Sequence, residues 1–230
     1  MTSETYDVEV EVGFKTYLEG TGDAALKLAK LCSRLAIECD VKLILTVQPT
    51  DIYRISRGVL TPVITQHVDA IRPGRHTGWL LPEAAKAAGA VGSFLNHCEK
   101  PLTMNQIKKT IERLHELDMI SLVSARDIES IKEIALFNPD IIMVEPPELV
   151  GTGKAVTQVK PEIVTNAVKE IRKIDSDIRV LCGAGISSRE DVKKAIELGA
   201  DGVGITSFVL LANDQEAAMR DILEGVTMVH

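Results

Sequence analysis

The chain has 230 residues, 45% of them hydrophobic and 26% charged, with a net charge of −7 at pH 7. These proportions suit a soluble globular protein long enough to bury a substantial core. The acidic balance argues against a nucleic-acid backbone as main partner, and no apolar run reaches the length of a membrane span. A small anionic ligand stays possible, because a local lysine and a few backbone N–H groups suffice to hold one. The opening stretch, MTSETYDVEVEVG, lacks the basic and apolar regions of a signal peptide, so a cytoplasmic location is expected. Cys32, Cys39, Cys98 and Cys182 form no CxxC pair, which favours free thiols over a metal site or a disulfide framework.

Short β-branched runs alternate with longer helical patterns. The predicted strands are Val8–Phe14, Val41–Val47, Pro62–Gln66, Ala90–Leu95, Ile120–Ser124, Ile141–Glu145, Ile178–Leu181 and Gly202–Thr206. Several, such as KLILTV and DIIMVE, are apolar without alternation, as strands covered on both faces are. Between them, Cys32 and Cys39 fall on a helix, and Gly89 ends the helix PEAAKAA. In Thr103–Asp118, Ile107, Ile111 and Leu114 share one face behind a Thr103–Gln106 capping box. Ser187 and Glu190 repeat that box before DVKKAIEL, which Gly199 terminates. Eight strand-then-helix units in one domain, residues 1–230, predict a (β/α)8 TIM barrel. The alternative is an open doubly wound sheet, although no GxGxxG follows the first strand.

Lys15, His97 and Glu145 lie at the ends of three separate predicted strands, so a barrel opens all three onto its C-terminal face. Each alone reads equally as a solvated or structural residue. Together they fit proton transfer beside a carbonyl: a carboxylate base, a neutral imidazole donor and an ammonium. The helix start expected at CEKPLT would disfavour imidazolium at His97. Pro146 and Pro147 stiffen the entry to a loop that Gly151 and Gly153 let bend, which reads as a lid. Glycine turns at Gly151 and Gly153 and at Cys182–Ser187, with Thr206–Ser207 after the last strand, form a candidate phosphate cradle. Arg72, Arg75 and His76 read as a solvated or subunit-contacting loop, and Glu148 as a solvated lid residue. His67 reads as structural, and His115 and His230 as uninvolved in catalysis.

FKTYLEGTG at Phe14–Gly22, TQHVDA at Thr65–Ala70, LNHCE at Leu95–Glu99, VEPPELVGTG at Val144–Gly153 and LCGAGISSREDVKKAIELGADGV at Leu181–Val203 follow in order. In these motifs nearly the whole chain resembles the triosephosphate isomerase family, and EPPELVGTG with the compact length resembles its archaeal branch. The resemblance implies interconversion of dihydroxyacetone phosphate and glyceraldehyde 3-phosphate through an enediolate, without cofactor or metal. It implies Lys15 as electrostatic residue, His97 as electrophile and Glu145 as base; a Glu base with a neutral His is that family's known arrangement. It further implies phosphate contacts at Gly151, Gly183, Ala184, Gly185, Thr206 and Ser207, and Glu99 as partner of Lys15 in the empty site. The family also implies a homo-oligomer, dimer or tetramer, in which Thr77 of PGRHTGW reaches a neighbouring subunit's site.

Five positions depart from the family pattern. Gly13 replaces an asparagine that orients substrate, an expected loss of about 1–3 kcal/mol or roughly ten- to a hundredfold in rate. Cys98 replaces a serine that supports the resting carboxylate, and Ser124 replaces a cysteine. Phe208 stands where a glycine lets the backbone approach phosphate, and Trp79 enlarges a loop. Three readings therefore stay open: the isomerase, a related barrel acting on another sugar phosphate, and a non-catalytic barrel binding a phosphometabolite.

Overall fold

A computed structural model describes residues 9–153 and 155–229, so Val8, Lys154 and His230 lie outside the described residues. In chain order the elements are β1 (Val10–Gly13), α1 (Gly22–Cys39), β2 (Leu43–Val47), α2 (Ile52–Ser56), β3 (Val63–Thr65) and α3 (Pro82–Ala88). β4 (Gly92–Leu95), α4 (Met104–His115), β5 (Ile120–Ala125), α5 (Ile128–Ala135) and β6 (Ile141–Val144) follow. The chain ends with α6 (Val156–Val159), α7 (Pro161–Ile174), β7 (Arg179–Cys182), α8 (Arg189–Glu197), β8 (Gly202–Ile205), α9 (Ser207–Leu210) and α10 (Gln215–Thr227). Every strand pairs in parallel with its sequence neighbours, and β1 pairs with both β2 and β8. The sheet is thus a closed eight-stranded barrel, which rules out the open doubly wound alternative.

Apolar residues on both faces of strands β2 to β7, and on the outer face of β1 and β8, build two packing layers. Ile44, Ile64, Phe94, Leu122, Met143 and Leu181 fill the barrel interior. Val10, Val12, Leu45, Val123 and Val180 face outward and meet Leu28, Ile107, Ile111, Leu114 and Ile222 of the helices. Each fully buried Leu or Ile side chain contributes about 1.5–3 kcal/mol of hydrophobic stabilisation before entropy is counted.

Element ends differ from the predicted ones by one or two residues, for local reasons. β6 stops at Val144 because Pro146 carries no N–H to continue it, although the Glu145 N–H still donates to Ala125 O at 2.9 Å. The capping box of Thr103 and Gln106 is present, and Gly89 caps α3 in the left-handed region at φ 106°. The cap of α8 lies one residue later than expected: Ser188 accepts from the Asp191 N–H, while the Ser187 N–H donates to Asp191 Oδ2 at 3.0 Å. Cys32 and Cys39 lie on α1, and all four cysteines are free.

Candidate active site

A cavity of about 1020 Å³ opens at the C-terminal ends of the strands. Lys15, His97 and Glu145 all line it, brought together from the loops after β1, β4 and β6. Backbone geometry at these loops is held under constraint. Lys15 and Asn96 occupy the left-handed region at φ 47° and 60°, an arrangement that costs energy outside glycine and clusters at functional sites. Neighbouring side chains fix both. Gln66 Nε2 donates to Lys15 O at 2.7 Å. Asn96 Nδ2 donates to Ser124 O at 2.9 Å, while its Oδ1 accepts from the Leu102 N–H at 2.9 Å. His97 is therefore carried on a loop clamped to β5.

The functional groups form one chain of contacts. Lys15 Nζ pairs with Glu99 Oε1 at 2.9 Å. His97 Nε2 lies 3.8 Å from Glu145 Oε2, and the Glu145 side chain is only 12% exposed. The Glu99 backbone N–H donates to His97 Nδ1 at 3.1 Å, whereas the Glu99 carboxylate stays 3.5 Å from the same nitrogen. The shorter contact, from a backbone N–H, needs a lone pair on Nδ1, which leaves Nε2, toward Glu145, to carry the ring proton. This replaces the helix-dipole explanation: residues after His97 form a turn, and α4 begins only at Met104.

Several departures resolve differently from expectation. Cys98 makes no hydrogen bond to Glu145; it is an exposed thiol whose Sγ lies 3.9 Å from His97 Nδ1. Ser124 supplies the missing hydroxyl instead, donating to Glu145 Oε2 at 2.9 Å from strand β5. Phe208 is half-buried at the cavity wall and packs against the main core, leaving the cavity open. Gly13 is not simply an empty position. A Cβ built there would meet Thr206 Oγ1 at 2.9 Å and Glu11 Oε1 at 3.3 Å, so other side chains occupy that space. Glu148 is not merely solvated, since it pairs with Lys160 across the lid.

The candidate anion cradle is split. Gly151, Ala184, Gly185, Thr206 and Ser207 line the cavity, with Gly151, Ala184 and Gly185 at φ 72°, 69° and 77°. Gly183 serves another end: its N–H is taken by Val144 O at 3.0 Å, and a Cβ there would meet Glu145 Cγ at 2.4 Å. It makes room for the Glu145 side chain. The lid glycines 151 and 153 lie open to solvent, so a Cβ at either would touch nothing, while Val156 N–H donates to Ala184 O at 3.2 Å and ties the lid's far end to the β7 turn. Thr77 lies outside the cavity on an exposed loop that also carries Trp79. On that loop's flanks Arg72 pairs with Glu116 at 2.6 Å, and Asp69 accepts from both His67 and the Leu80 N–H. His67 thus has the structural partner expected of it, though it also borders the cavity.

Sequence reasoning missed Glu11. It points into the barrel from the middle of β1, only 4% exposed, and lines the cavity floor. The available signal was a carboxylate inside VEVG, a strand that a barrel covers on both faces.

Comparisons with known proteins agree with this geometry. The family model described as triosephosphate isomerase matches residues 9–130 and 123–225. Triosephosphate isomerase of Methanothermus fervidus is 48% identical over 214 residues, covering 93% of this chain and 96% of that protein. The triosephosphate isomerases of Methanothermobacter thermautotrophicus and Methanobacterium bryantii are 42% and 44% identical, each over 94% of this chain and over 95% and 96% of their own lengths. With the closed barrel and these matches in hand, the chain belongs to the triosephosphate isomerase family, among relatives from archaea.

Proposed function

We propose that this protein interconverts dihydroxyacetone phosphate and glyceraldehyde 3-phosphate by proton transfer through an enediolate. The observation that carries the reading is the 3.8 Å approach of His97 Nε2 to Glu145 Oε2 on a cavity that Lys15 also lines. Glu145 removes the proton from the carbon beside the carbonyl, and its negative charge passes to the substrate as the enediolate forms. His97, neutral and protonated on Nε2, donates to the oxygen where that charge develops. Lys15 adds a fixed positive charge, shared with Glu99 until substrate arrives. Gly151, Ala184, Gly185, Thr206 and Ser207 hold the phosphate, whose charge backbone N–H groups at glycine turns accommodate. Lid closure over the site excludes water from the enediolate.

In this reading the enzyme is a cytoplasmic homo-oligomer, the exposed loop of Thr77 and the 58% exposed Trp79 meeting a neighbouring copy. A coupled assay on both trioses tests the proposal directly. Measurable turnover is expected, and it should fall about 10²–10⁴-fold in Glu145→Gln, the usual worth of a positioned base. Faster turnover of a longer sugar phosphate than of either triose would instead favour the related-barrel reading.

A further inference from the structure

The floor of the cavity contains a group that the mechanism above leaves idle. Glu11 rises from β1, and two glycines make its seat. A Cβ at Gly13 would lie 3.3 Å from Glu11 Oε1, and one at Gly204 would lie 3.2 Å from Glu11 Oε2. Thr46 of β2 faces the same space; its buried hydroxyl has no hydrogen-bond partner of good geometry, and it too lines the cavity. A buried carboxyl and a buried hydroxyl that make no well-formed hydrogen bond with each other, bordering a cavity sized for a small ligand, are costly unless a polar ligand uses them.

We infer that Glu11 is a substrate-positioning residue, its carboxyl supplying from the barrel floor, with the Thr46 hydroxyl, the hydrogen bonding to the triose that Gly13 lacks a side chain to make. The inference rests on the isomerase reading. A neutral acid is required, because an anion there would repel both Glu145 and a phosphorylated substrate. The surroundings supply it. Burial pushes the Glu11 carboxyl up to about 8, Glu145 adds to the rise, and Thr46 and Lys15 offset only part of it. Met143 of β6 and Gly204 of β8, which also border the group, bring no charge. Below about pH 8 Glu11 therefore holds its proton and donates one hydrogen bond; above it, the group ionises and the barrel floor carries a further carboxylate beside Glu145.

Steady-state kinetics of the intact protein on glyceraldehyde 3-phosphate, from about pH 6 to 9, test this with Glu11→Gln and Glu11→Ala. Glutamine keeps the shape and a donor but cannot ionise. It should hold kcat/KM within about threefold at neutral pH and abolish the fall near pH 8, while alanine should lose about tenfold or more. Rescue by glutamine with a flattened alkaline limb is an outcome that a purely structural glutamate would not produce. An unchanged alkaline limb in Glu11→Gln overturns the inference even if the alanine variant does not fold, and wild-type kcat/KM in Glu11→Ala overturns it equally. Both results leave the isomerase reading standing. That reading fails separately, and takes this one with it, if the wild-type protein turns over neither triose.

Discussion

At the C-terminal ends of the strands Ser124, Glu145 and His97 converge; at the N-terminal ends Ser121, Asp140 and His115 do the same. The chemistry of the parts is nearly identical, but the bonding differs. Asp140 Oδ2 accepts from the Ser121 N–H at 2.7 Å, from Ser121 Oγ at 2.8 Å and from His115 Nε2 at 3.1 Å. The Asp140 N–H returns a bond to Ser121 Oγ at 3.1 Å, so this set is closed on itself. Glu145 takes the Ser124 hydroxyl and stands 3.8 Å from His97, too far for a hydrogen bond, with its remaining capacity facing a cavity. A saturated carboxylate stabilises a fold. An unsaturated one, tethered among the described residues by the Ser124 hydroxyl, is available to a substrate.

The contrast is broken most severely by exchanging the consequences of mutation at the two ends. Glu145→Gln should reduce turnover about 10²–10⁴-fold with little change in melting temperature. Asp140→Asn should do the reverse, leaving kcat within about twofold while loss of its charged bonding costs about 1–3 kcal/mol. For a chain of this size that lowers the melting temperature by about 2–12 °C. Thermal unfolding and steady-state kinetics on the same two preparations decide the matter; a large kcat loss in Asp140→Asn would erase the distinction.

Ser124→Ala sharpens the comparison at the active end. Removing the one hydroxyl that tethers the base should lower kcat/KM by about three- to tenfold, because the bond helps keep the carboxylate oriented without taking part in proton transfer. Cys98→Ala, removing a thiol whose Sγ lies 3.9 Å from His97 Nδ1, should change it less than about twofold. Equal effects from the two substitutions would mean that the base is not held from β5.

The barrel, and the gathering of Lys15, His97 and Glu145 at one cavity, were legible in the sequence for one physical reason. Strands covered on both faces read as apolar runs, and a charged residue just past such a run lies at the mouth of the barrel. Lys15 and Glu145 satisfy that purely local rule, and His97, an ionisable residue just past β4, satisfies its polar counterpart. Ser124 and Glu11 do not. The Ser124–Glu145 bond spans 21 residues and depends on the register that pairs Ala125 with Val144 across β5 and β6. Glu11 depends on closure of β1 against β8, where Glu11 pairs with Gly204 and the missing Cβ atoms at Gly13 and Gly204 open its seat. The sequence shows Gly13 as a loss; only the closed barrel reveals what fills the gap. For the same reason, placing Asn at position 13 should fail to raise activity while Glu11 and Thr206 occupy its space.

The smallest expected effect is a pH dependence of stability at the inactive end. The bond to Asp140 holds the His115 imidazole above its ordinary value of 6.5, outweighing burial. Asp140 in turn is held below its ordinary 3.8, because the bonds from His115 and Ser121 outweigh a burial that alone would raise it. The signs set a window. A group raised in the folded state contributes its stability in full below its unfolded value and loses it as pH rises through the folded one; a lowered carboxyl contributes above its unfolded value and loses it as pH falls through the folded one. The ion pair therefore stabilises the fold most between about pH 4 and 6.5. His115→Asn keeps a polar side chain but cannot carry the charge, so its melting temperature should fall furthest below wild type near pH 5.5 and approach it as pH climbs beyond the raised imidazole value. A deficit that stays constant across that range would mean the imidazole acts there only as a neutral hydrogen-bond donor, and the two ends of the barrel would then differ in saturation alone and not in charge.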